Sequence, residues 1–85
     1  MFVLLERESL QGGSEDREWL GKCDTVSKGW TFCSAVAHLP QDALLDLCRK
    51  ATTDTEGNLE AVVEWQGIVR WSVVMQPIRR KLGQS

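Results

Sequence analysis

Between Leu59 and Met75 every odd-numbered position is apolar or glycine, reading Leu59, Ala61, Val63, Trp65, Gly67, Val69, Trp71, Val73 and Met75. The even positions carry Glu60, Glu64, Gln66, Arg70 and Ser72, with Val62, Ile68 and Val74 as exceptions. Side chains of an extended strand alternate between two faces, so a period of two specifies β structure with one buried face and one mostly polar face. Drawn straight, the segment would run ~56 Å. A globule of 85 residues has a radius of gyration near ~12 Å, so the chain must turn, and Gln66-Gly67-Ile68 is the natural place. Only an odd loop keeps the apolar sets together. A three-residue loop pairs Trp65 with Val69, Val63 with Trp71, Ala61 with Val73 and Leu59 with Met75, and sets Glu64 opposite Arg70. A two-residue turn at Gln66-Gly67 would pair Val63 with Arg70 and Val62 with Trp71, mixing the faces. The remaining alternative is a strong bend in one continuous strand.

The rest of the chain is shorter in signal. Phe2 to Glu8 reads as a first strand, ended by the loop signal Gln11-Gly12-Gly13-Ser14. Trp19, Gly21 and Cys23 alternate with Leu20 and Lys22, and Asp24 to Gly29 has turn-like composition. Trp30, Thr31 and Phe32 then open an aromatic and β-branched run, which favours strand and predicts a hairpin joining residues 19–25 to 30–37. Phe32, Val36 and Leu39 also fit one helix face, and Ala35 and Ala37 favour helix, so residues 30–39 carry both readings, with strand preferred. After Pro40 the helix signal is clear. Ala43, Leu44, Leu47, Cys48 and Ala51 form a stripe, Asp42 lies near the start, and Arg49 and Lys50 lie near the end, where they complement the helix dipole.

These elements predict an α+β fold: a small antiparallel sheet of four to five strands, one main helix at about 40–51 packed on one face, and a C-terminal β-hairpin over 59–75. Residues 1–76 form the expected single domain and residues 77–85 a basic tail. A 12-residue helix is about 18 Å long and covers only part of such a sheet, so exposed apolar sheet or self-association should follow.

Charge and cysteine content narrow the function classes. Residues 1–40 carry net −2, residues 41–76 net −3 and residues 77–85 net +3, the last from Arg79, Arg80 and Lys81. An acidic body argues against a general nucleic-acid binder, which needs a field of Lys and Arg. No apolar run approaches the length of a membrane span, and Met1 to Leu5 followed by Glu6, Arg7 and Glu8 does not resemble a secretory signal. Cys23, Cys33 and Cys48 lie 10 and 15 residues apart, a spacing that suits neither a disulfide framework nor a closed zinc site, and a cytoplasmic location is expected. No metal or cofactor is expected.

Catalytic constellations are weak. His38 is the single histidine, and Cys33, five residues before it, would fall on the opposite face of a strand. Asp42/Asp46 and Glu60/Glu64 have the spacing of cooperating acids, which is equally the spacing of solvated faces. Gly12-Gly13 lacks the Lys-Ser/Thr of a phosphate loop. The four tryptophans carry the one functional hint, since tryptophan is enriched at binding hot spots. Trp65 and Trp71 share the buried face of the hairpin and are expected in the core. Trp19 and Trp30 are the candidate binding residues, with Arg79, Arg80 and Lys81 as a basic accessory; no catalytic residue is assigned.

The sequence therefore predicts a small non-enzymatic protein-binding module, an adaptor, inhibitor or regulator that can act as a homodimer. The alternative is a small-molecule-binding or enzymatic α+β domain with a pocket between helix and sheet.

Overall fold

Residues 1–12 and 17–78 are described by a computed structural model of the chain. Their elements run β1 (Phe2–Ser9), β2 (Arg17–Lys22), α1 (Val26–Ala37), α2 (Gln41–Lys50), β3 (Thr52–Thr53), β4 (Leu59–Trp65) and β5 (Val69–Gln76). The strands form one five-stranded antiparallel sheet in the order β2-β1-β5-β4-β3.

The C-terminal hairpin has the register its alternation demands. Leu59 faces Met75, Ala61 faces Val73, Val63 faces Trp71, Trp65 faces Val69 and Glu64 faces Arg70. Gln66, Gly67 and Ile68 form the loop, closed by Ile68 N–H donating to the Trp65 carbonyl at 3.1 Å. Gln66 and Gly67 both take left-handed backbone, φ 54 and 68, which suits the right-handed twist of the flanking strands and which Gly67 adopts without penalty.

The first strand joins the free side of β5, with Val3 opposite Met75 and Leu5 opposite Val73. Its alternation therefore continues that of the hairpin. Val3, Leu5, Ala61, Val63, Trp71, Val73 and Met75 are all at most 3 % exposed and form the sheet side of the core.

Both helices cover that odd-numbered face, α2 packing on β4 and α1 on β2, and they touch each other. Ala43 and Leu47 of α2 are fully buried in the same cluster as Cys33 and Leu39. Asp42 ties α2 to the hairpin: Trp65 Nε1–H donates to its Oδ2 at 2.9 Å while its Oδ1 accepts from Ala43 N–H.

Residues 30–37, expected as a strand paired with 19–25, are instead helical, and β2 pairs with β1. Thr25 caps α1, its Oγ1 accepting from Lys28 N–H at 3.2 Å, and His38 ends it in left-handed conformation. A cap at Thr25 and a sheet-facing ridge of small residues outweigh the strand propensity of Trp30 and Thr31. Gly29 and Cys33 are buried on that ridge, and a Cβ at Gly29 would stand 2.8 Å from Met75 Sδ. The helix thus lies close against β1 and β5. The polar stretch after α2 also holds one more piece of sheet than expected, the two residues of β3. Its turn is organised by Asp54, whose carboxylate accepts from the backbone N–H groups of Glu56 and Asn58 and from Asn58 Nδ2.

Two substitutions test this packing. Gly21 of β2 leaves room for Phe32 of α1, whose ring would lie 2.5 Å from an added Cβ; Gly21→Ala should cost about 1–3 kcal/mol in denaturant unfolding, and wild-type stability would contradict the contact. Gln66→Gly relieves left-handed backbone at the hairpin tip and should raise stability by about 0.5–1 kcal/mol.

Candidate functional site

The helices leave the opposite, even-numbered face of the sheet uncovered. Across β2, β1, β5 and β4 one row reads Leu20, Leu4, Val74 and Glu60, fixed by the pairings Leu4 with Leu20, Leu4 with Val74 and Glu60 with Val74. The row toward the start of β1 reads Lys22, Phe2 and Gln76. The row on the other side reads Glu18, Glu6, Ser72 and Val62.

Phe2, Leu4, Leu20 and Val74 therefore form one apolar patch on three adjacent strands. Leu20 is 76 % exposed and Phe2 52 %, and Leu4 and Val74 are half-buried by their neighbours alone. The patch lines an open depression of about 610 Å³, to which Lys22 and Gln76 also contribute. Val62, 51 % exposed, lies one row further on.

The face is electrically lopsided. Lys22 stands at one end of the patch, and Glu6 and Glu18 stand opposite each other at its other end. Beyond them Arg70 bridges three strands, bonding Glu8 on β1 and, at 2.6 Å, Glu64 on β4. That cluster carries one surplus carboxylate and ties β1, β5 and β4 together, one row removed from the patch.

The tryptophans lie elsewhere. Trp19 is on β2, but its side chain points to the helix-covered face, where it stacks on Trp71 at a centroid distance of 6.4 Å. Arg7 lies over the Trp71 ring, 5.8 Å from its centroid. Trp71 itself is buried, and its Nε1 has no hydrogen-bond partner among the described residues. Trp30 sits on α1, half-buried against the core. Trp19 and Trp30 thus belong to different elements and do not flank a hairpin turn. Arg79, Arg80 and Lys81 lie outside the described residues.

Sequence reasoning missed Phe2, Leu4, Leu20 and Lys22 as surface residues, although two signals were present. Val62 and Val74 break the polar run of even positions, and Phe2 to Leu5 is apolar on both parities, as a strand with two apolar faces must be.

The titratable groups singled out from the sequence are dispersed. Asp42 is engaged with Trp65 and Asp46 with Arg49 at 3.6 Å, while Glu64 holds Arg70 and Glu60 is exposed. His38 is exposed at the end of α1, whereas Cys33 is buried against the sheet. Burial, with a smaller contribution from nearby Cys23, pushes the Cys33 thiol up to about 12. Desolvation also raises Cys48, on the exposed side of α2. A thiol held in its protonated form is a poor nucleophile. With a thiol-specific disulfide reagent, Cys48 should label in the native protein and Cys33 only on unfolding; rapid native labelling at Cys33 would contradict its place in the core.

No helix among the described residues is long and apolar enough to cross a membrane. No known protein family matches the chain, and neither does a curated protein or a solved structure.

Proposed function

We propose that this chain is a small non-enzymatic protein-binding module that docks through the bare face of its sheet. The observation that carries the reading is the contiguous patch of Phe2, Leu4, Leu20 and Val74, over which no element of the described residues is placed. Contiguous apolar surface of this kind, rimmed by charge, marks interaction sites, because leaving it in water forgoes about 25 cal/mol for each Å² that a partner could cover. The patch is also preorganised. Its backbone is fixed by the strand pairings of β1, β2 and β5 and by the core beneath them, so little conformational entropy is lost on docking.

Lys22 at one end and Glu6 and Glu18 at the other give the surface a direction, which suits a partner that must bind in one orientation. Three unpaired cysteines fit a reducing compartment, and we place the module in the cytoplasm. A second reading draws on the volume of the depression, about 610 Å³, which lies in the range of ligand sites. In that reading an elongated apolar molecule with an anionic end would lie along the patch toward Lys22.

Photo-crosslinking in the native host separates the two. A benzoylphenylalanine replacing Phe2 should give a covalent protein adduct, the same probe replacing Leu45 on the outer side of α2 should not, and Val74→Glu should abolish the Phe2 adduct. Adducts equal at both positions, or none at Phe2, would contradict docking through this face.

A further inference from the structure

The two edges of the sheet differ. On one side the outer strand is β3, only two residues long and followed by the Asp54 turn. On the other side the outer strand is β2, six residues, unbroken in register against β1 and with no strand beyond it among the described residues. An edge of this length exposes a row of backbone donors and acceptors, and proteins usually guard it with proline, a bulge or charges that repel a second strand. β2 contains no proline and pairs with β1 without a bulge. Its outward charges are of opposite sign.

Those charges are Glu18 and Lys22, and each is exposed and without an ion pair among the described residues. Four residues apart on one strand they stand about 13 Å from each other, beyond contact. Between them is Leu20, the most exposed of the large apolar residues at 76 %. The order along the outer face of the edge is therefore acid, apolar, base, with equal spacing on either side of Leu20.

We infer that β2 pairs antiparallel with β2 of a second copy of this chain, about a two-fold axis through Leu20, to give a continuous ten-stranded sheet. In that register Leu20 meets Leu20 of the second copy, and each Glu18 stands directly opposite the other copy's Lys22. Both ion pairs and the leucine contact lie on the outer face, so the two apolar depressions join across the junction into one surface. On the inner face Trp19 stands opposite Gly21 of the second copy, beside the Phe32 ring that lies over that glycine. Moving the axis by one residue places Leu20 opposite Lys22 or Glu18 opposite Leu20 and loses both ion pairs. The charges thus select one register, as cross-strand pairs do within a sheet.

This self-pairing goes beyond the proposed function, since it uses the edge of β2 and leaves the docking face open. Sedimentation equilibrium tests it. The wild-type chain should form a dimer in the micromolar to millimolar range. Glu18→Lys and Lys22→Glu should each weaken it about tenfold, because each turns two attractions into two repulsions. The double variant E18K/K22E should restore wild-type affinity. An equimolar mixture of the E18K and K22E chains should associate more tightly than either alone, since their edges are again complementary. All these positions are exposed, and circular dichroism verifies that the fold is retained. A dimer indifferent to these charges overturns the inference, as does a monomer over the whole range. A monomer whose Phe2 still crosslinks to another protein overturns the self-pairing and leaves the docking face standing; a monomer with no crosslink removes both.

Discussion

The register of the C-terminal hairpin is the constraint on which the rest of the structure depends. With three residues in the loop, Val63 meets Trp71 and Ala61 meets Val73, so the odd-numbered apolar side chains of both strands land together on one face, leaving only Val62 and Val74 on the other. β5 then passes that parity to β1 through the pairing of Leu5 with Val73. A slip of one residue anywhere along the hairpin would turn Trp71 and Val73 to solvent and Arg70 and Ser72 inward, at a cost of several fully buried side chains at about 1.5–3 kcal/mol each. The helices follow from this face. α2 lies over β4, tied by the bond between Trp65 and Asp42, and α1 lies over β2 and approaches closely because Gly29 and Gly21 carry no side chain.

Parity was legible in the sequence because the strand period is rigid and the chain is short. Chain dimensions forced the turn, and face consistency chose its length. α2 was equally legible from its apolar stripe and its end charges. α1 was not, because two signals compete over Trp30, Thr31 and Phe32. Residue by residue, those side chains prefer a strand, yet the cap at Thr25 and the buried pair Gly29 and Cys33 are features of a helix laid close on a sheet. Misplacing α1 left β2 with the wrong partner, and that error carried over to the site, since it put Trp19 and Trp30 on either side of a turn that does not exist.

The tryptophans show why the residue type most associated with binding can mislead in a small chain. Trp71 is core, Trp19 stacks on it beneath the sheet, and Trp65 spends its polar atom on Asp42. The exposed apolar surface is built from smaller residues that drew no attention individually. Leu20 and Phe2 become conspicuous only when the register of β1, β2 and β5 sets them beside Leu4 and Val74. The expectation of uncovered apolar sheet rested on one helix being too short for its face; two helices share that face, and the bare apolar patch lies instead on the even face, which the alternation marks as mostly polar.

A sheet with one face closed by helices and the other left open is the central claim, and the solvent exposure of its methyl groups tests it most directly. In dilute solution, a freely soluble paramagnetic probe should broaden the methyl resonances of Leu20 and Val62 strongly while leaving those of Leu5 and Val73 sharp, since these residues share strands or strand pairings but face opposite sides of the sheet. Equal protection of the two sets would mean that the even face is covered within the monomer, and the docking surface would not exist.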